Sequence, residues 1–136
     1  MTRDEVIRFI QEVKFAYLAT VDEGNAPCVR PVAIKDVYGD DFYFFTFCTT
    51  RKVAEMEAQP KVEAVWAKVE GASQVRVRGN AYVVKDDEIE ERFRADNPMV
   101  ERILPPGAGH LFSLHKIVPE KVEVAEGLVP YTEVAW

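Results

Sequence analysis

Apolar residues recur at helical spacing near the start of the chain. One face carries the positions Val6, Ile7, Phe9, Ile10 and Val13. Intervals of about three and four residues are typical of an amphipathic helix. Thr2 and Glu5 match the capping box that begins such helices. We therefore predict an N-terminal helix whose apolar face packs against a sheet or barrel.

Strand patterns follow this helix. Phe15–Val21 is apolar and rich in aromatic and β-branched residues, and Ala26–Val37 resumes after a polar turn, which predicts a hairpin. The aromatic segment Phe42–Phe47 comes after a further turn, so we expect these three strands to form a meander. Pro27 and Pro31 predict an edge strand or a bulge, because proline cannot donate a hydrogen bond to a strand ladder.

A strand-to-helix turn at Thr49 and Thr50 is the first candidate site. The following residues predict a short helix that starts at about Thr50 and ends before Pro60. Arg51 and Lys52 occupy its first turn, where positive charge opposes the helix dipole unless an anion is bound. Hydroxyls, cationic side chains and helix N-terminal amides are the groups that bind a phosphate. The core-facing residues of this helix are expected to be Val53, Ala54 and Met56.

The rest of the chain alternates between further strands and acidic helices. Additional strands are predicted over Lys61–Lys68, Ser73–Val84, Leu111–Val124 and Tyr131–Ala135, and helices over Asp86–Ala95 and Met99–Leu104. Leu111–Val124 is either one long strand or two strands divided near Pro119, and Gly79 marks a bulge or a close backbone approach. Six or seven mostly antiparallel strands with short α-helices predict a mainly β barrel or sandwich. We expect a single domain over residues 1–136.

Composition and charge narrow the class of partner. Hydrophobic residues make up 48% and charged residues 29% of the 136-residue chain, as in ordinary globular proteins. The formal net charge of −6 argues against nucleic acid as a partner. No apolar run approaches the ~20 residues that span a bilayer, and the charged N-terminus does not match a signal peptide. We expect a cytoplasmic protein without a membrane segment that binds a small anionic molecule.

The cysteines and histidines give no sign of a metal site. Cys28 and Cys48 lie in separate strand-like segments without metal-ligand spacing, and we interpret both as buried thiols. His110 and His115 also lack ligand spacing, and we interpret them as surface histidines or hydrogen-bonded core histidines. No residue shows the pattern of a catalytic acid, base or nucleophile. The catalytic residues therefore remain unassigned, and no metal is predicted.

Three segments together resemble the pyridoxamine 5'-phosphate oxidase-like superfamily, the FMN-binding split β-barrels. Arg30–Lys35, with sequence RPVAIK, is similar to the family strand of arginine, apolar residues and lysine. Phe45–Lys52, FTFCTTRK, is similar to the strand end that leads to Ser/Thr-Arg-Lys, and Gln74–Gly79, QVRVRG, to a Gln-Val-Arg-Val-x-Gly strand. The order and separations also agree. The segment Phe15–Val32 looks most like small members related to general stress and nitroimidazole-resistance proteins.

The resemblance implies FMN as cofactor, bound in a groove between the subunits of a homodimer. It implies that Arg30, Thr50, Arg51 and Lys52 hold the phosphate and that Lys35, Thr46 and Gln74 approach the flavin ring. The full set of implied cofactor-binding residues is Arg30, Pro31, Val32, Lys35, Phe45, Thr46, Thr50, Arg51, Lys52 and Gln74. On a regular strand Arg30 and Lys35 fall on opposite faces, so a bulge or a strand end is needed for both to reach one ligand.

The activity implied is that of an FMN-dependent oxidoreductase acting on an unidentified small molecule. Two alternatives stay open: a flavin-binding or stress-related module without turnover, and the same fold binding the deazaflavin F420 or haem. Two features distinguish the chain from true vitamin B6 oxidases. The substrate-phosphate motif is not visible in Glu90–Asn97, and no equivalent of the family's C-terminal tryptophan and arginine precedes Trp136. We therefore do not expect pyridoxamine phosphate oxidation.

Overall fold

The computed structural model describes every residue from Met1 to Trp136. The helices are α1 (Arg3–Val13), α2 (Arg51–Ala58), α3 (Asp87–Asp96) and α4 (Met99–Ile103). The strands are β1 (Phe15–Val21), β2 (Pro27–Ala33), β3 (Asp36–Tyr38), β4 (Asp41–Phe47), β5 (Lys61–Lys68), β6 (Ser73–Val83), β7 (Phe112–Glu126) and β8 (Thr132–Glu133). None of the four helices is both long enough and apolar enough to cross a membrane.

The strands form one antiparallel sheet that curves into a split barrel. The order of seven strands is β2-β1-β5-β6-β7-β4-β3, and the short strand β8 pairs additionally with β7. The strand β2 is at one end of the order, where its prolines leave no ladder partner unsatisfied, so the predicted edge position is confirmed. The mainly β fold class predicted from the sequence is also confirmed.

The expected three-strand meander is wrong. The hairpin of β1 and β2 is present, but β4 pairs with β3 and β7 and not with β2. The segment expected to be one strand, Ala26–Val37, is two strands, β2 and β3. The interruption has a physical cause: the N–H of Ile34 donates to Lys14 O at 2.9 Å, and Trp66 Nε1 donates to Ile34 O at 2.7 Å. The chain therefore leaves one end of the sheet at Ile34 and joins the other end at β3.

The bulge predicted at Gly79 is confirmed, and it explains why β7 is a single strand. The register of β6 against β7 shifts between Arg78 and Gly79, where Gly79 lies opposite Pro119. A Cβ added at Gly79 would lie 2.2 Å from the carbonyl oxygen of Val118. Only glycine permits the two backbones to approach this closely. The strand β7 therefore continues through Pro119 from Phe112 to Glu126.

Two apolar cores hold the fold together. The barrel interior is filled by residues from α1, α2 and the strands, with Trp66, Phe42, Phe44, Ile10 and Leu18 among its largest fully buried side chains. Trp66 is thus a core residue. A second cluster lies beneath α3 and α4 and contains Tyr38, Tyr43, Phe93, Val100, Leu104 and Leu114. The N-terminal helix begins with the predicted capping box of Thr2 and Glu5.

Three burial expectations are wrong. Ala54 of α2 is exposed and the charged Glu55 is buried beside Met56, because Glu55 meets Arg30 beneath the helix. Cys48 is exposed because it follows the end of β4 in the turn to α2, and Cys28 on the edge strand is only partly buried. Neither cysteine is therefore a buried core thiol.

Candidate functional site

A groove of about 260 Å³ lies between β2 and β4 and is closed at one end by the first turn of α2. We call it the β2–β4 groove. Its lining residues are Pro31, Val32, Ala33, Phe45, Thr46, Phe47, Thr50, Lys52 and Ile103. Six of these were implied cofactor residues: Pro31, Val32, Phe45, Thr46, Thr50 and Lys52. The split of the sheet creates the groove, since β2 and β4 approach each other without pairing.

Hydroxyl groups gather at the α2 end of the groove. Thr50 is the N-cap residue of α2, but its side chain does not cap the helix. Its Oγ1 donates instead to Phe47 O at 2.9 Å and lies 3.4 Å from Thr46 Oγ1. The N-terminal turn of α2 is therefore without a side-chain cap at the place where two threonine hydroxyls line the groove. Such an arrangement suits a bound anion.

Lys52 is the unpaired cation of the groove. Its side chain is half-buried, and no carboxylate lies within ion-pair distance of its Nζ. Loss of water contact lowers the pKa of Lys52, and the nearby positive charge of Arg30 lowers it further. Both effects disfavour the charged ammonium in the absence of an anion. The negative charge of a phosphate in the groove would offset both effects.

Arg30 lies near the groove but its guanidinium is bound within the protein. Its Nη1 donates to Thr20 Oγ1 at 2.6 Å, and its Nη2 donates to Glu55 Oε1 at 2.8 Å. Thr20 also donates to Glu55 Oε1 at 3.0 Å. Burial acts to raise the pKa of Glu55, but hydrogen bonds from Thr20, Cys28 and Arg30 outweigh it, so that this pKa lies below its ordinary value. The positive charge of Arg30 is therefore matched by a buried carboxylate.

Arg51 and Lys35 do not line the groove. The side chain of Arg51 is 76% exposed, and its Nε lies 3.6 Å from Glu55 Oε2 on the side of α2 that faces the β1–β2 turn. The Nζ of Lys35 lies 3.2 Å from Asp36 Oδ1. Lys35 follows the end of β2, so the strand-end arrangement considered from sequence exists, but it directs the lysine towards Asp36.

Gln74 lies at the far end of the sheet from the groove of the same chain. It is opposite Ala125 on β7, whereas Thr46 is opposite Ser113 at the other end of that strand. Its Oε1 accepts hydrogen bonds from Tyr131 Oη at 2.7 Å and from Arg76 Nη2 at 3.5 Å. A single chain therefore does not bring Gln74 to the groove residues.

Comparison with known proteins agrees with the fold. The family model described as pyridoxamine 5'-phosphate oxidase matches residues 2–124. The chain belongs to the pyridoxamine 5'-phosphate oxidase family. A curated relative, the pyridoxine/pyridoxamine 5'-phosphate oxidase of Cupriavidus taiwanensis, is 36% identical over 86 residues, which is 63% of this chain and 40% of that protein. The chain thus matches less than half the length of the Cupriavidus protein.

Solved structures of the family share the fold at low sequence identity. A NimC/NimA family protein from Clostridium acetobutylicum has a TM-score of 0.80 at 20% identity, covering 96% of this chain and 89% of that one. A pyridoxamine 5'-phosphate oxidase-related, FMN binding protein from Nostoc punctiforme has a TM-score of 0.68 at 19% identity, covering 96% and 88%. The resemblance to the family inferred from the sequence is confirmed by the family model.

Sequence reasoning missed four residues in or beside the groove: Ala33, Phe47, Ile103 and Glu55. Ala33 and Phe47 lie within the recognised motifs, whereas Ile103 comes from α4, far away in sequence. Glu55 follows Lys52 by one helical turn, and this spacing was visible, but a glutamate on a short helix is usually solvated. Its burial depends on Arg30, which is contributed by a distant strand.

Proposed function

We propose that the protein binds FMN in the β2–β4 groove and acts as a flavin-dependent oxidoreductase on a small molecule. The observation that carries the proposal is the half-buried Lys52 without an ion-pair partner, next to Thr46, Thr50 and the uncapped N-terminus of α2. A phosphate monoester supplies the negative charge that these groups lack. Membership of the family adds independent support.

Different residues of the groove would bind the phosphate and the ring of FMN. Lys52 and Thr50 would hold the phosphate, and the apolar side chains of Val32 and Phe45 would flank the flavin ring. Bound FMN would supply the redox chemistry, while the protein supplies position and charge. Arg30 would support the α2 end of the groove through its hydrogen bonds to Thr20 and Glu55.

We further propose that the functional unit is a homodimer in which the partner completes the groove. The distance of Gln74 from the groove in its own chain supports this, since a second copy can present that side chain. The outer face of β1 and β2 also supports it. There Tyr17 is 55% exposed and Val29 is 68% exposed, and such contiguous apolar surface is typical of interfaces.

A titration of the apoprotein with FMN tests the groove. We expect saturable quenching of flavin fluorescence by the wild type and binding at least about tenfold weaker for Lys52→Met, because a charge-assisted hydrogen bond is lost. Lys14→Met is the matched control, since Lys14 is exposed and outside the groove. Equal FMN affinity for wild type and Lys52→Met would contradict the proposed phosphate site.

A turnover assay tests the oxidoreductase activity separately. The FMN-loaded protein is expected to consume NADH or NADPH steadily in the presence of an excess of electron acceptor. The Lys52→Met variant should lose this activity in proportion to its loss of bound flavin. A protein that binds FMN but consumes neither nucleotide with any acceptor supports the flavin-binding module without turnover.

A further inference from the structure

A second cavity, of about 550 Å³, lies between α2 and the adjoining ends of β6 and β7. We call it the Ser113–His115 pocket. Its apolar wall is formed by Val53, Met56, Ala81 and Val83. Its polar groups include Ser113, His115 and, near the mouth, the exposed Lys85. None of these residues lines the β2–β4 groove, so the pocket is a separate site.

The buried imidazole of His115 has one nitrogen without a partner. His115 is 3% exposed, and its ring stacks on Phe44 with 5.6 Å between ring centroids. Its Nε2 lies 2.7 Å from Ser113 Oγ, while Nδ1 is buried without a hydrogen-bond partner. An unpaired buried polar atom has a free-energy cost, and at functional sites a ligand commonly meets it.

The charges around the pocket favour an anion. Burial lowers the pKa of His115 to about 4, and the positive charges of Lys52 and Lys85 contribute to this lowering. Lys85 has no carboxylate within ion-pair distance. Glu57 is the acidic residue on the pocket wall. The lining charges of Lys85 and Glu57 cancel, so an anion is favoured by the positive charges that act on His115, those of Lys52 and Lys85, and by the hydrogen-bond donors of the pocket.

We propose that the Ser113–His115 pocket binds a small monocarboxylate with an apolar body. The carboxylate accepts hydrogen bonds from Lys85 and from the Nδ1–H of His115, while Ser113 Oγ donates to Nε2 and so fixes this tautomer of the imidazole. The apolar body packs against Val53 and Met56 of α2. Most ligand pockets combine such an apolar wall with a few converging polar groups. The site does not depend on flavin binding in the β2–β4 groove.

Benzoate is a suitable probe, because it joins one carboxylate to a flat apolar ring. NMR of isotope-labelled histidine rings follows His115 during titration of the apoprotein with sodium benzoate. We expect saturable shifts of the His115 signals that are larger than those of the exposed His110. Lys85→Met should weaken binding about tenfold through loss of a charge-assisted bond. Ser113→Ala should weaken it less, and Lys14→Met should leave it unchanged.

A second titration separates this site from the proposed flavin site. The FMN-loaded protein should still bind benzoate saturably, and Lys85→Met should bind FMN as the wild type does. The proposal is overturned if benzoate fails to saturate His115, if Lys85→Met and Ser113→Ala both bind it like the wild type, or if FMN displaces it. Because benzoate binding to apoprotein needs no flavin, failure of FMN binding leaves this result intact.

Discussion

Lys52 and Arg30 are both cations close to the β2–β4 groove, but their surroundings give them different tasks. Arg30 is matched by the buried carboxylate of Glu55 at 2.8 Å. An incoming phosphate would have to compete with that carboxylate for the guanidinium. Lys52 has no such partner, and its pKa is lowered by burial and by Arg30. Lys52 is therefore the cation that gains most from a bound anion.

The buried His115 makes the free energy of unfolding depend on pH. Its pKa in the folded protein is about 4, below the ordinary 6.5, because burial disfavours the charged ring. The unfolded chain therefore binds more protons between these two values, and stability falls as the pH falls from 6.5 towards 4. We expect His115 to contribute a loss of up to about 3 kcal/mol over this window.

Urea unfolding at a series of pH values measures this contribution. The variant His115→Phe keeps a ring against Phe44 and removes the titrating group. Its stability should change less than that of the wild type between pH 6.5 and 4, and His110→Phe is the control at an exposed position. Identical pH slopes for His115→Phe and the wild type would show that His115 is not held neutral by the fold.

Individual groove residues differ in how far their roles can be predicted from the sequence. Thr46, Thr50 and Lys52 were predicted from local motifs, and each lines the groove. The pairing of Arg30 with Glu55 was not predicted, because it joins the edge strand to a helix through tertiary contact. Sequence records the charges of both residues but not the burial that brings them together.

The pairing of β6 with the long strand β7 depends on the bulge at Gly79. Gly79→Ala would place a methyl group against the backbone at Val118, where 2.2 Å separates the Cβ position from the carbonyl oxygen. We expect a loss of at least about 2 kcal/mol in the free energy of unfolding, since neither backbone can move without breaking the ladder.

Urea denaturation of purified variants checks this expectation. Gly109→Ala is the matched control, because a Cβ there has no atom within 4 Å and the backbone is not in the left-handed region. Its stability should stay within about 0.5 kcal/mol of the wild type. Equal stabilities for the Gly79 and Gly109 variants would mean that the close approach of β6 and β7 is not required.

Element types were easier to predict than their pairing. The hairpin of β1 and β2, the bulge at Gly79 and the helix after Thr50 follow from short patterns of apolar residues, glycine and capping groups. The position of β4 beside β7 does not, because register between strands distant in sequence is set by packing. The break at Ile34 depends likewise on hydrogen bonds with Lys14 and Trp66.

At the scale of the whole molecule, the proposed homodimer predicts a link between assembly and flavin binding. Tyr17→Glu places a charge on the apolar outer face of β1, so it should raise the dimer dissociation constant and weaken FMN binding together. Tyr82→Glu is the control, because Tyr82 is similarly exposed at 47% but lies on β6 at the end away from Gln74.

Analytical ultracentrifugation at several concentrations, with and without FMN, measures both effects. FMN should shift the wild type towards the dimer, since a ligand that binds only one state stabilises it. A wild type that stays monomeric at all concentrations while binding FMN tightly would rule out the shared site.

The absorbance spectrum of the protein after loading with FMN tests the central claim most directly. The purified chain is incubated with excess FMN and passed through a gel-filtration column that removes unbound flavin. We predict that the protein peak carries a flavin spectrum with FMN in molar amount equal to the chain, and that the Lys52→Met peak carries little. A wild-type peak without flavin absorbance would contradict the account.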